Sequence, residues 1–463
     1  MDYENDNPAK VGKTPELEQN ESGSTINNEI LEDNEDDMPL IEESDITEVI
    51  ELTDQDAPTF SDEEEEDNVG MEAVPGGEMN SMGMEVDPED LSILTLTTHT
   101  DSVYALGVCA ARPGLLITGG GDDKASLVKL GPPPPPPPDT PTPTEAGPPL
   151  IVEASQELLG HTDSVTAVGF SADGQFAATG SYDGTVKIWD TTTAQLLHSL
   201  EGPGEIDWLA WHTKGNAVLA GSQDATLWMW LAQTGQCMQV FAGHQDAVTC
   251  GLFTANGKQV ISGSADCTVK IWAPKTGACK HTFSGHGFHE APINCMASNN
   301  DGALLLTGAQ DGNISLLSIQ TPRVIALIAH DPGATSIMDQ GDVECCSVET
   351  VGFCNTTTWI ASGGSDKTLR IWDISGSAPL LRQTCQHGGS VIKLVWHQSE
   401  PIVFTGCVDG QLRAWDARTG NCMQIFSGHK DMILDLGILY ADHGKVLLVS
   451  ASDDHTSKFF EFT

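Results

Sequence analysis

From Ser92 to Phe462 the chain alternates short runs of branched, aromatic and small residues with brief polar turns, as in Val165-Thr-Ala-Val-Gly-Phe170, Phe176-Ala-Ala-Thr179 and Val186-Lys-Ile-Trp189. Such runs, some separated by Asp-Gly turns, predict antiparallel strands. The strands recur in units, each marked by an aspartate six residues before an aromatic or apolar position. The marks run Asp122 to Val128, Asp183 to Trp189, Asp224 to Trp230, Asp266 to Trp272, Asp311 to Leu317, Asp366 to Trp372, Asp409 to Trp415 and Asp454 to Phe460. The spacings between these aspartates are 61, 41, 42, 45, 55, 43 and 45 residues. A four-stranded propeller blade takes about 40–45 residues, so eight units predict an all-β, eight-bladed β-propeller over residues 89–463. The last unit ends at Phe462 without a fourth strand. Ser92–Leu96 precedes the first unit and is expected to supply that strand, closing the ring and removing its open edges.

Charge separates this body from what precedes it. Acidic residues number 67 against 21 basic ones, a net charge of −46, and residues 1–90 hold 31 of the acids with only Lys10 and Lys13, a net of −29. Residues 1–88 are too polar and too charged to bury a core and read as a disordered acidic tail. Within it, Asp45-Ile-Thr-Glu-Val-Ile-Glu-Leu52 mixes apolar residues with acids and reads either as a docking motif or as a chance cluster. An acidic protein disfavours direct binding to nucleic acid or anionic membranes, which needs clustered Lys and Arg, and favours a basic protein segment as partner. No cationic leader followed by an apolar run opens the chain, and no run of about 18 apolar residues occurs, so a cytoplasmic or nuclear location is expected. The 12 cysteines lack a C-x-x-C pair and read as reduced thiols, most of them buried.

Two further segments break the period. Residues 132–149 open with seven prolines between the third and fourth strands of the first unit. That run is either a stiff rod able to engage an SH3, WW or profilin-type module or a tolerated loop expansion. Residues 331–346 form an acidic insertion between the fifth and sixth units.

His161, Asp183 and Thr179 or Ser181 have the composition of a hydrolase triad. The set returns as His244, Ser262 and Asp266, and again as His429, Ser450 and Asp454. An enzyme needs no such repetition of one nucleophile, and no phosphate loop, H-E-x-x-H or spaced Cys-His set is present. No catalytic residue, cofactor or metal site is expected.

The Gly-His and Trp-Asp pairs at this spacing resemble the WD-repeat propellers. Several finer features are similar to the family of the angio-associated migratory cell protein and its fungal counterpart, a dedicated chaperone of the large-subunit ribosomal protein L-ten (L10). They are the acidic tail with Glu48-Val-Ile-Glu-Leu52, Ile206-Asp-Trp-Leu-Ala-Trp211, Leu227-Trp-Met-Trp230, Val351-Gly-Phe-Cys354 and Gln383-Thr-Cys-Gln-His387. The resemblance implies that His161, Thr179, Asp183 and Trp189, then His244, Ser262, Asp266 and Trp272, then His387, Thr405, Asp409 and Trp415 are hydrogen-bonded struts. The third unit, without Gly-His, and the fifth, with Leu317, are then less firmly tied.

In such propellers the loop entering each inner strand and the turn between the second and third strands lie on the top face. That map puts Asp101, Asp163, Asp246 and Asp431 there, with Glu205, Asp207 and Trp208, the insertion Gly287–Ala291 carrying Glu290, and Asp342 and Glu344. Together they would hold a basic segment, with Trp208 adding cation–π contact. The implied function is a non-enzymatic, monomeric chaperone that shields a basic ribosomal protein during large-subunit assembly. The alternative is a scaffold in cell migration or signalling.

Overall fold

The computed structural model describes residues 89–131, 150–332, 346–440 and 445–462. Among them, 32 strands form eight four-stranded antiparallel sheets. The inner strands, beginning with Val103–Val108, Val165–Phe170 and Ile206–Trp211, each pack against the next, and the eighth, Ile433–Tyr440, packs against the first. The ring is therefore closed. The expected closing strand is present as Leu94–Leu96, which pairs with Ser457–Phe462 in the register Leu94 to Phe459 and Leu96 to Ser457. The Leu91 amide donates to Ser427 O at 2.9 Å, and Lys458 forms an ion pair with Asp90. These contacts extend the seam beyond the strand.

The core lies between blades, as the alternation of the strands dictates. One face of each sheet presents branched residues to the next blade. Leu115, Ile117 and Leu127 of blade 1, for example, pack against Val165, Ala177 and Trp189 of blade 2. The fifth unit is a complete blade, Ile293–Ser298, Leu304–Ala309, Asn313–Ser318 and Arg323–Ala329, because Leu317 is fully buried in the place tryptophan takes elsewhere. The proline-rich segment 132–149 joins the third and fourth strands of blade 1, and its own residues lie outside the described ones, as do residues 1–88. Among the described residues the cysteines are free thiols. Cys279 and Cys422 are exposed, against the expectation of burial, because both sit on outer strands.

Two local irregularities recur and shape the top face. The residue after each marking aspartate takes a left-handed conformation, from Asp123 at φ 62° to Gly184 at 75°. Five of the eight are neither glycine nor asparagine: Asp123, Ala225, Cys267, Lys367 and His455. In seven of the turns the marking carboxylate accepts the amide two residues on, as Asp183 does from Thr185 at 2.9 Å, and this bond holds the turn shut. The second irregularity is a bulge near the top of the inner strands, for instance between Val103 and Ala105 and between Ile206 and Trp208. A bulge takes one residue out of the ladder and re-aims its side chain. Tyr104 and Asp207 are those residues.

Candidate partner-binding face

The struts beneath the face are hydrogen-bond relays. In blade 2, Trp189 Nε1 donates to Thr179 Oγ1 at 3.0 Å, Thr179 meets His161 Nε2 at 2.7 Å, and His161 Nδ1 meets Asp183 Oδ2 at 3.0 Å. The same oxygen accepts the Thr162 amide at 2.9 Å, so one carboxylate ties the turn to the incoming loop. Blade 4 repeats this with Trp272 to Ser262 at 2.8 Å, Ser262 to His244 at 2.7 Å and His244 to Asp266 at 2.9 Å. Burial alone would raise the Asp183 carboxyl, but donation from Thr185, the Thr162 amide and His161 outweighs it and holds the group down at about 2. Asp266 is lowered further for the same reason. Burial also lowers the His161 imidazole against the opposing pull of Asp183. Within each relay these residues are hydrogen-bonded to one another.

The third predicted strut set differs. His387 meets Thr405 at 2.9 Å and Trp415 at 3.1 Å, but its Nδ1 donates to Cys385 O at 3.1 Å instead of to Asp409. Asp409 accepts Arg413 at 2.6 and 3.2 Å. A guanidinium four residues along the strand outcompetes the imidazole for the carboxylate, and burial with the Arg413 charge pushes His387 down to about 4.

Other relays were not read from the sequence. His99 joins Thr118 at 2.8 Å and Asp122 at 2.9 Å, and His289 joins Thr307 at 2.9 Å and Asp311 at 3.3 Å. The fifth blade is therefore tied through its histidine, but without the tryptophan bond and with the longer His289–Asp311 contact. His289 lies 22 residues before Asp311, the spacing of His161 to Asp183, and that spacing was the signal to follow. Phe288 and His289 are buried, so of Gly287–Ala291 only part, including Glu290, reaches the surface. In blade 6, His330 joins Ser362 at 2.8 Å and Asp366 at 3.3 Å with its ring turned over. Blade 3 has no such histidine, and its Asp224 accepts the Gly204 amide at 3.0 Å instead.

Above the relays, Asp101, Asp163, Asp246 and Asp431 are exposed in the loops after their histidines. Each accepts the next residue's amide through Oδ1 at 2.7–2.8 Å, which shapes the loop and leaves the carboxylate facing water. Glu205 and Glu290 are exposed as well. Asp207 is half-buried at its bulge. Burial raises its carboxyl, Gln223 lowers it by donating at 3.2 Å, and Glu205 raises it again. Asp331 is engaged by Arg370 at 3.3 Å, while Asp342 and Glu344 lie outside the described residues. Lys367 and Lys430 are exposed on blades 6 and 8. The acids therefore dominate blades 1 to 5.

Trp208 does not serve as the cationic contact expected of it. Its Nε1 donates to Val248 O at 2.7 Å, and its ring fills space above Gly221 and Gly251, where an added Cβ would come within 2.3 and 2.2 Å of the indole. The bulge at Asp207 turns this tryptophan into the junction with blade 4. The aromatic side chains on the face are instead Tyr104 and Tyr182, 40% and 38% exposed.

Comparison with known proteins agrees with this geometry. The WD domain, G-beta repeat model matches residues 153–190, 194–230 and 235–273, and the model of the Nucleolar protein 10-like, N-terminal domain matches residues 276–460. The chain is 32% identical over 431 residues to the angio-associated migratory cell protein of Homo sapiens, covering 90% of this chain and 93% of that one. It is 25% identical over 406 residues to the ribosome assembly protein SQT1 of Saccharomyces cerevisiae, covering 82% and 88%. Among solved structures, Sqt1 of Saccharomyces cerevisiae superposes with a TM-score of 0.69 at 21% identity over 81% of this chain and 99% of its own. Sqt1 of Chaetomium thermophilum, bound to the N-terminus of the ribosomal protein L10, gives 0.66 at 21% identity over 81% and 100%. At these identities the superpositions show the fold.

Proposed function

The chain belongs to the family of the angio-associated migratory cell protein, and from that premise we propose that it is a non-enzymatic escort that shields a basic segment of a ribosomal protein, L10, during large-subunit assembly. The observation that carries this reading is the row of exposed carboxylates on blades 1 to 5, from Asp101 through Asp163, Glu205 and Asp246 to Glu290, held on loops that the relays fix in blades 1, 2, 4 and 5 and that Asp224 ties in blade 3. Fixed acids around one mouth focus a negative potential without the cost of ordering flexible side chains, so they attract Lys- and Arg-rich chain and repel nucleic acid. Ribosomal RNA, with far more phosphate charge, can then take the segment away at assembly. The similarity to a ribosome assembly protein and to a propeller bound to the L10 N-terminus supports this choice of partner. The acidic tail adds a second, loosely held store of negative charge for further basic segments.

The test is capture at low salt. Proteins co-purifying with the full-length chain from cells of its own organism should be enriched in L10, and the enrichment should fall as salt rises through the screening range. If kinases, receptors or actin regulators were enriched without ribosomal proteins, the signalling scaffold would replace this reading.

A further inference from the structure

The face offers more than charge. Tyr104 stands on the bulge of the first inner strand, and Tyr182 stands in the turn just before Asp183 of blade 2, each partly exposed to water. Neither phenol oxygen has a hydrogen-bond partner among the described residues. The Tyr182 amide donates to Ser164 O at 3.1 Å, next to Asp163, and a Cβ at Gly184 would lie 3.0 Å from Pro203 O, so the turn that carries Tyr182 adjoins both the Asp163 loop and the segment leading to Glu205. Burial raises the Tyr182 phenol first, and the nearby Asp207, Glu205, Tyr104 and Asp163 each raise it further. On the other side, an added Cβ at Gly121 would lie 3.2 Å from both the Asp101 carboxyl and the Tyr104 ring. Two exposed aromatic rings are thus bordered by Asp101, Asp163, Glu205 and Asp207.

The other blades carry Gly121, Gln223, Ala265, Gln310, Ser365, Val408 and Asp453 in the place of Tyr182, so an aromatic ring in that turn is peculiar to blade 2. A ring face attracts a cation, and a planar guanidinium can stack on it while its edge donates to carboxylates alongside. An ammonium is a compact, strongly hydrated point charge and uses the acids but less of the ring. We propose that this patch between blades 1 and 3 is a binding site for an arginine side chain, which makes the face selective for arginine over lysine at equal charge. The inference rests on the reading of the acidic face as the holder of a basic segment and names the side chain that segment must bring.

Hexa-arginine and hexa-lysine peptides, equal in charge, separate the two ideas when titrated into the full-length chain at low salt by fluorescence anisotropy. The wild-type chain should bind hexa-arginine about 3- to 10-fold more tightly, the range a stacked cation provides at a partly exposed site. Tyr104→Ala and Tyr182→Ala should remove most of that preference, whereas Tyr104→Phe and Tyr182→Phe should keep it, since the ring and not the hydroxyl makes the contact. Unchanged thermal unfolding of the alanine variants would show that they fold. Equal affinity for both peptides, or a preference that survives both alanine changes, overturns the arginine site and leaves the acidic-face reading standing. Binding of neither peptide overturns both.

Discussion

Thr179→Val isolates the relay that holds the top face. The substitution keeps side-chain volume and removes one hydroxyl that serves two buried groups, His161 Nε2 at 2.7 Å and Trp189 Nε1 at 3.0 Å. Thr179, His161 and Trp189 are 0%, 7% and 3% exposed, so water cannot replace the lost partner. Each orphaned buried group costs roughly 1–3 kcal/mol, and with partial relaxation the pair should cost about 2–4 kcal/mol. Blade 1 supplies an internal control. There Val128 stands where the tryptophan would be, and Thr118 serves only His99, at 2.8 Å. Thr118→Val should then cost about half as much, ~1–2 kcal/mol. Chemical denaturation followed by tryptophan fluorescence measures both, and the difference between them is the worth of the indole bond. Equal losses in the two variants, or a loss below about 0.5 kcal/mol for Thr179→Val, would refute the relay as a load on stability.

Other perturbations bear on separate parts of the structure. The Asp183 and Asp311 carboxyls are held down at about 2 against an ordinary 3.8, so the stability they confer is fully present above pH ~4 and is lost as pH falls from there towards 2. After allowance for solvent screening this is worth about 1 kcal/mol for each, and Asp183→Asn should flatten the acid limb of the stability curve by that amount. Deleting residues 1–88 should leave thermal unfolding unchanged while weakening capture of basic segments, whereas deleting residues 1–97 also removes Leu94–Leu96 and should lower the unfolding temperature sharply by opening blade 8.

The architecture was legible because its signal is repeated. Eight aspartates in register survive the loss of tryptophan at Val128, Leu317 and Phe460, since the carboxylate caps its own turn or, at Asp122, ties the incoming loop through His99 and the Thr100 amide, whatever fills the core six residues later. The closing strand was legible too, from a last unit one strand short. What escaped were the places where a single competing contact decides the geometry. His330 stands 36 residues before Asp366, beyond the usual spacing, because the insertion falls between the histidine and its inner strand. Asp409 is lost to Arg413, an interaction invisible to a pattern that reads only His, Asp and Trp. Trp208 is turned by a one-residue bulge into the junction with blade 4, where it is partly buried, against the facing that strand alternation predicts. For the same reason Tyr104 is on the face.

If the carboxylates of this face, and not the fold as such, hold the basic partner, reversing them must weaken binding without unfolding the propeller. The direct measurement is the dissociation constant of the N-terminal segment of L10 for the wild-type chain and for Glu205→Lys/Asp207→Lys, by calorimetry across a salt series. Exposed ion pairs contribute ~0.2–1 kcal/mol each, and reversal roughly doubles the change, so the double variant should bind about tenfold or more weakly, with a shallower salt dependence and unaltered thermal unfolding. Wild-type affinity and salt slope in a folded double variant would contradict that role of the carboxylates.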